Sequence, residues 1–326
     1  MTKPIFLISL PRSGSTLLQK MLSVHEEISA TAEPWLLLPF WAMRRPDAGR
    51  SVYSHHTAAR AINDFIASIN YGDEVFEKAI GDFGRTLYSH SSKGNKYFLD
   101  KTPRYYLMAR TLSRAFPEAK FIILLRNPLA VLASICETFN KGRFWWPDFW
   151  IDWDVGHNLL AELVTDKLPD MYVLHYEDLV MSPEEYLESL CEWLGITYTK
   201  YMISNYRESI MSGRMGDTKG INKYARVSTA SVDRWRGFFN TKFRRKVALS
   251  MLDRIGERNL SILGYPKHEV ISNIYSGSCS PKFDIRSRVE YIFGILSYMV
   301  DFRYYQERYR ARKKGRRYVY GYYRNI

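Results

Sequence analysis

The chain has 326 residues, of which 46% are hydrophobic and 25% are charged. These are ordinary globular proportions, so they predict a sizeable core and exclude a largely disordered chain. The net charge is +13, of which residues 301–326 carry +7, and the remaining excess favours an anionic ligand or acceptor. The three cysteines show no CxxC spacing, which argues against a disulfide scaffold or a zinc ribbon and is typical of a reducing compartment.

The first apolar run, Ile5 to Leu10, is short and is followed at once by Pro11 and Arg12. A signal peptide has a longer apolar stretch behind a basic start. The sequence also contains no stretch of the roughly 20 apolar residues that a membrane span requires. We therefore expect a cytoplasmic protein, either soluble or peripheral at a membrane surface.

Short apolar runs alternate with helical patterns along the chain. Strands are predicted at 5–10, 97–99, 121–125 and 172–176, and helices at 15–23, from 128 onward and at 183–194. Repeated strand, turn and helix predict an α/β fold, a three-layer parallel sheet that starts with a P-loop-like strand–loop–helix unit. We expect one domain over 1–266 and a helical, basic and aromatic extension over 267–326.

The extension combines an apolar stripe with a basic segment. The stripe consists of Ile292, Ile295, Leu296, Met299 and Val300 at helical spacing. Residues 301–326 then contain nine Lys or Arg and two acidic residues, a net charge of +7. This pattern favours peripheral contact with an anionic membrane, and a docking helix with a solvated basic end is the alternative. Nucleic acid is not expected as a partner, because no recognised binding fold accompanies the basic segment.

The turn between the first predicted strand and helix has the composition of an anion site. Its sequence, PRSGST at 11–16, combines a helix start with a glycine that lets the backbone approach a ligand closely. An arginine and three hydroxyl side chains add donors. The predicted binding residues are Arg12, Ser13, Gly14, Ser15 and Thr16.

A P-loop kinase is a less favoured interpretation of this turn. Such kinases require GxxxxGK[ST], and residues 11–16 lack its Gly-Lys pair. They also use an aspartate on a neighbouring strand to help hold magnesium, whereas the predicted strand 121–125 is followed by Arg126. The seven histidines show no metal-ligand spacing either, so we expect no metal.

Four motifs together resemble the sulfotransferases that use 3′-phosphoadenosine-5′-phosphosulfate (PAPS), in the style of the Golgi, tyrosylprotein and bacterial types. They are PRSGSTLL at 11–18, RNP at 126–128 with Ser134, YEDL at 176–179, and Trp235-Arg236 after Gly216, Asp217 and Lys219. The resemblance covers roughly residues 4–240.

The resemblance implies a cofactor site and a leaving-group lysine. Arg12 and the loop amides would hold the phosphosulfate, and Arg126, Ser134 and Lys219 would bind the 3′-phosphate. Lys101 would stabilise charge on the bridging oxygen of the leaving group, with adenosine 3′,5′-bisphosphate as product. The alternative for Lys101 is a solvated side chain paired with Asp100.

A base for the acceptor is also implied. The phenol and steroid enzymes of the family have a histidine two residues after the lysine, where this chain has Pro103. Glu33 matches the glutamate that serves as the base in the Golgi and tyrosylprotein types. The apolar residues at 35–37 should raise its pKa, as a base for a hydroxyl requires. Glu26 and Glu27 are weaker candidates, and a surface or helix-capping role for Glu33 is the alternative.

The acceptor is the least determined part of the prediction. We expect a hydroxyl, or less favourably an amine, on a glycan or glycolipid, with a small natural product as the alternative. The segment 144–153 contains six aromatic residues, which suits either a stacking platform for sugar rings or a packed corner of the core. Trp235 is equally compatible with the core and with the cofactor wall. A non-catalytic anion-binding module would have no need of Glu33 and Lys101.

Overall fold

The structure is a computed structural model that describes residues 2–49, 53–209, 211–213, 229–280, 284–300, 309 and 313. Within these residues, five strands form one parallel sheet in the order β2-β3-β1-β4-β5. The strands are β1 (Lys3–Ser9), β2 (Ile28–Ala30), β3 (Tyr97–Asp100), β4 (Lys120–Leu125) and β5 (Met171–His175).

Helices cover both faces of the sheet. Those of the N-terminal half are α1 (Ser15–Ser23), α2 (Leu38–Met43), α3 (His55–Ala67), α4 (Gly72–Ser92), α5 (Ala109–Ala115) and α6 (Pro128–Asn140). They are followed by α7 (His157–Asp166), α8 (Tyr176–Met181), α9 (Pro183–Leu194), α10 (Tyr201–Ser204), α11 (Ala230–Asp233), α12 (Lys242–Ile255), α13 (Glu257–Ile262), α14 (Lys267–Ser276) and α15 (Ile285–Val300).

Strand β1 shows why the sheet has a core on each face. Its side chains alternate, so that Phe6 and Ile8 belong to one buried cluster while Ile5 and Leu7 belong to another. All four are at most 1% exposed, which explains why the strand is a continuous apolar run. The predicted three-layer α/β architecture is confirmed.

The predicted elements match the structure closely in their positions. The helices over 15–23 and 183–194 have the predicted bounds, and the ends of the four predicted strands differ from the observed ones by at most two residues. Strand β2 was not predicted, nor were the helices α2–α5, α7, α8 and α10–α13. Among the described residues, no helix is both long enough and apolar enough to cross a membrane.

The helical C-terminal region is present and packs against the rest of the chain. Val270 and Ile274 of α14 are buried in a third core cluster together with side chains of α6 and α12. A truncation after residue 266 would therefore remove side chains of the core. The domain boundary between 266 and 267 stays a prediction. In α15, Gly294 lies against Trp145 and Tyr291 lies against Trp146. The predicted basic segment, apart from residues 309 and 313, lies outside the described residues.

Candidate active site

The phosphate loop joins the carboxyl end of β1 to the first turn of α1. Gly14 precedes α1 with a φ of 92°, a conformation that residues with a side chain rarely adopt. A Cβ atom at this position would lie 2.2 Å from a ring carbon of Tyr176, so the close approach of that ring also requires glycine. The loop therefore presents the start of α1, where backbone amides and the helix dipole favour an anion.

Arg126 and Ser134 converge on Arg12 of this loop. Arg12 Nε donates a hydrogen bond to Ser134 Oγ at 3.2 Å, and Arg126 Nη1 donates to the Arg12 carbonyl at 2.8 Å. Burial, together with the nearby positive charge of Arg12, lowers the pKa of Arg126. Two guanidinium groups are thus held close together, which is favourable when an anion lies between them.

Lys101 and Glu33 form a buried ion pair at the loop. Lys101 Nζ lies 2.5 Å from Glu33 Oε1, and the two side chains are 2% and 11% exposed. The ammonium also donates to Thr16 Oγ1 at 3.3 Å, while Trp35 Nε1 donates to Glu33 Oε2 at 3.2 Å. The solvated pairing of Lys101 with Asp100 and the surface role for Glu33 are both wrong, because the two side chains bind each other across 68 residues of sequence.

A buried carboxylate holds the segments that carry this pair. Asp100, which is 0% exposed, accepts hydrogen bonds from the hydroxyls of Tyr88, Tyr105 and Thr102 at 2.6–2.8 Å. Burial raises the pKa of Asp100 to about 6, although the three donors favour its charged form. Thr102 Oγ1 in turn accepts from the backbone amide of Trp35 at 3.1 Å. The network thereby fixes the segment after β2 against the end of β3.

The YEDL motif has a structural role that its position at a strand end does not reveal. Tyr176 covers Gly14 and donates to or accepts from Ser231 Oγ at 2.7 Å. Glu177 accepts hydrogen bonds from the Asn127 amide at 3.0 Å and from the Tyr265 hydroxyl at 2.7 Å. The motif therefore braces both the phosphate loop and the turn that carries Arg126.

His157 lies under the loop and was given no role by the sequence. It lines a small pocket together with Ser13 and Arg126. The imidazole is 2% exposed, and within the described residues neither ring nitrogen has a hydrogen-bond partner. Burial lowers the pKa of His157 to about 3, which keeps it neutral.

The aromatic segment 144–153 is mainly part of the core. Phe144, Trp146 and Trp153 are at most 2% exposed, and Trp235 is 4% exposed in the same cluster. The segment is tied to the residues after Lys101 by the ion pair of Arg104 with Asp152 at 3.1 Å. For most of these aromatic residues, packing in the core therefore explains their presence, and a stacking platform for sugar rings is not needed.

One aromatic pair beside the loop is partly open to solvent. Phe139, which is 54% exposed, stacks on Phe149 with ring centres 5.0 Å apart. The guanidinium of Arg12 lies 5.8 Å from the centre of the Phe139 ring. A flat apolar surface therefore adjoins the guanidinium group of Arg12.

The remaining site predictions concern Lys219 and metals. Lys219, Gly216 and Asp217 lie outside the described residues. In the described part of the chain, no group of three or more His, Cys, Asp or Glu side chains is placed to hold a metal ion.

Comparison with known proteins identifies the family. A family model described as Sulfotransferase family matches residues 4–200, which include the loop, Glu33, Lys101, Arg126 and the YEDL motif. The chain belongs to the sulfotransferase family.

Curated relatives agree with this assignment, and a solved structure shares the fold. Nodulation protein NoeE of Sinorhizobium fredii is 29% identical over 291 residues, which cover 80% of this chain and 65% of NoeE, so the chain spans less than two thirds of that relative. Protein-tyrosine sulfotransferase 1 of Danio rerio is 23% identical over 85% of this chain and 79% of its own. The sulfotransferase domain from the curacin biosynthetic pathway shares the fold, with a TM-score of 0.55 and 20% identity over 81% of this chain and 98% of that domain.

Proposed function

We propose that this sulfotransferase transfers a sulfuryl group from PAPS to an acceptor hydroxyl, or less favourably an amine, and releases adenosine 3′,5′-bisphosphate. The observation that carries the proposal is the arrangement of two sites around one loop. Arg126 and Ser134 lie on one side of it, where both contact Arg12 of the loop, and the Lys101–Glu33 pair lies on the other side.

The described residues fit a ligand with two anionic ends. Arg126 Nε is buried and has no hydrogen-bond partner within the described residues, although both terminal nitrogens of this guanidinium are bonded to backbone carbonyls. An anion beside Arg126 would satisfy this donor and compensate the buried positive charge. We assign the 3′-phosphate to Arg126 and Ser134, with Lys219 as a further proposed contact.

The loop would take the other anionic end. When bound, PAPS supplies a sulfuryl group attached to its 5′-phosphate. We assign that end to Arg12, Ser13, Gly14, Ser15 and Thr16. The positive end of the α1 dipole and the Arg12 charge then stabilise negative charge without a metal ion.

Glu33 and Lys101 are proposed to act as one unit. Glu33 Oε1 accepts the proton of the acceptor hydroxyl, which removes the negative charge that Lys101 Nζ pairs with at 2.5 Å. The Lys101 ammonium can then stabilise the negative charge that develops on the leaving group at the loop, where Lys101 already contacts Thr16. Proton transfer and stabilisation of the leaving group are thereby coupled through a single ion pair.

For the acceptor we propose a glycan or glycolipid. The exposed ring of Phe139, which stacks on the partly buried Phe149, supports this choice, since a sugar ring has an apolar face that stacks on aromatic side chains. A small natural product is the alternative. A cytoplasmic location stays a prediction.

The test is transfer of label from radiolabelled PAPS to a panel of acceptors. The panel contains oligosaccharides, a glycolipid, hydroxylated small molecules, an amino sugar and a tyrosine peptide. We expect transfer to a sugar hydroxyl that persists in the presence of a metal chelator. Transfer only to a small molecule or to the peptide would contradict the acceptor assignment, and dependence on magnesium and a nucleoside triphosphate would contradict the reaction itself.

A further inference from the structure

The outward face of α15 carries a continuous row of apolar side chains, called here the apolar strip. Its members are spaced alternately by four and three residues, which places them on one side of a helix. All of them are between 51% and 64% exposed. The apolar strip consists of Ile285, Val289, Ile292, Leu296 and Met299, with Phe293 and Val300 exposed beside it.

The strip is exposed although α15 is firmly packed. The inner face of the helix places Tyr291 against Trp146 and Gly294 against Trp145. Ser287 Oγ accepts a hydrogen bond from Arg244 at 2.8 Å. The helix has therefore already buried one face, and the apolar strip is a second face that the described residues leave in solvent.

Charge around the strip is positive. Arg286 and Arg288 are exposed on α15, and Lys141 and Arg143 are exposed in the turn beside it. Glu290, the one acidic residue between 285 and 300, is only 14% exposed and accepts hydrogen bonds from the Phe144 amide and from Arg286. The sequence that follows, 301–326, adds a net charge of +7. An apolar face with this border is typical of helices that lie in the interface of an anionic bilayer.

We propose that the apolar strip and its basic border dock this protein onto an anionic lipid surface. Helices of this kind bury their apolar side by about 5–10 Å at the boundary of headgroups and acyl chains, while basic residues attract the anionic headgroups. A second copy of the chain fits the strip less well, because it would bring another segment with a net charge of +7 close to the first.

Docking would bring the candidate active site near the lipid surface. Tyr298 of α15 lies 6.0 Å from Trp150, next in sequence to Phe149, which stacks on Phe139 beside Arg12. A glycolipid acceptor would then meet the enzyme at the membrane. This consequence rests on the proposed function, whereas the docking itself does not.

The test uses the full chain and vesicles of phosphatidylcholine with or without phosphatidylglycerol. The strip variant combines Ile292→Ser, Leu296→Ser and Met299→Ser. Its matched control combines Phe65→Ser and Val75→Ser, which are also exposed apolar side chains but lie on α3 and α4. We expect the strip variant to partition at least tenfold more weakly onto anionic vesicles and the control to bind like the wild type. Thermal unfolding checks that both variants fold.

A second variant tests the charge. Arg312→Gln, Lys313→Gln and Lys314→Gln together should weaken binding to anionic vesicles by about 100-fold at low salt, since each basic residue near such a surface contributes roughly a fivefold factor. Binding of the wild type should also weaken as salt is added.

Three results would overturn the proposal. They are unchanged vesicle binding by the strip variant, equal binding of the wild type to neutral and anionic vesicles, and a wild-type dimer that the strip variant dissociates while the wild type itself shows no vesicle binding. Transfer from PAPS to a soluble acceptor is measured on the same samples. It should be unchanged in every variant, so failure of docking is distinguishable from failure of the proposed function.

Discussion

Replacing Glu33 by glutamine tests the proposed base and the ion pair in one protein. The change keeps the shape of the side chain but removes its charge and its ability to take up a proton at neutral pH. Breaking a buried ion pair costs about 3–5 kcal/mol, because the remaining charge loses its partner. The lower value applies here, since Lys101 still contacts Thr16 and the new amide oxygen can accept a hydrogen bond. A loss of about 3 kcal/mol lowers the melting temperature by roughly 5 °C in a chain of this size.

Glu33→Gln should lower kcat much more than it weakens cofactor binding. Without the base, kcat should fall by about 10²- to 10⁴-fold, and the KM for PAPS should change little because Arg126 and Ser134 are untouched. An acceptor whose oxygen is already ionised should lose less. Lys101→Met should instead slow all acceptors alike, because it removes charge stabilisation on the leaving side. The double variant should recover part of the lost stability, since it leaves neither charge unpaired.

The matched control is Glu27→Gln. Glu27 also pairs with a lysine, Lys96 at 3.5 Å, but both side chains are more than one third exposed. An exposed pair contributes about 0–1 kcal/mol, so this variant should be nearly wild type in stability and turnover. Glu33→Gln with a normal melting temperature and near-normal kcat on a sugar hydroxyl would refute the assignment. A large loss of kcat in Glu27→Gln would transfer the role to that residue.

Three further predictions follow from the site. Arg126→Ala should remove roughly 2–3 kcal/mol of the preference for adenosine 3′,5′-bisphosphate over 5′-AMP in calorimetry, while Arg110→Ala at an exposed ion pair should leave it intact. His157→Leu should make the free energy of unfolding depend less strongly on pH in the acid range. The pKa of His157 is lowered from 6.5 to about 3 in the folded protein, so between these two pH values only the unfolded chain binds this proton. Between pH 6.5 and 4 the free energy of unfolding of the wild type should therefore fall by about 3 kcal/mol more than that of the variant. Denaturant titrations measure this difference. Gly14→Ala should weaken bisphosphate binding and stability by more than about 2 kcal/mol, whereas Gly142→Ala, which has a similar positive φ but open space around it, should lose only about 1 kcal/mol and bind normally. Equal losses in the two alanine variants would show that backbone strain alone, and not the Tyr176 ring, requires Gly14.

Local features of the sequence were sufficient to predict the frame of the fold. Strand β1, the loop and α1 follow one another without interruption, so apolar periodicity and turn composition define all three. Strand β2 is only three residues long, which is too short for any periodic pattern. Helices α3 and α4 have mostly exposed side chains, with few buried positions to mark an apolar face.

Contacts between distant residues could not be predicted in the same way. Glu33 and Lys101 were each proposed from the resemblance, but nothing local shows that they bind each other. The sequence suggests Asp100 only as the partner of a solvated Lys101, the alternative to a catalytic lysine, whereas Asp100 is buried and held by three hydroxyl groups from side chains at 88, 102 and 105. Such pairings depend on which strand ends adjoin each other, and that information lies in the order of the sheet.

The order of the sheet explains why the two proposed halves of the site are separate. Strand β1 lies between β3 and β4, so the loop that follows β1 has Lys101 after β3 on one side and Arg126 after β4 on the other. The carboxyl ends of parallel strands meet at one edge, which is where α/β proteins bind their ligands. Because the loop stands between the two groups, Glu33→Gln should act on kcat and Arg126→Ala on cofactor discrimination. Their effects should therefore add in the double variant, as expected for sites without a shared partner. Strong coupling between them would mean that the loop transmits the loss of one side to the other.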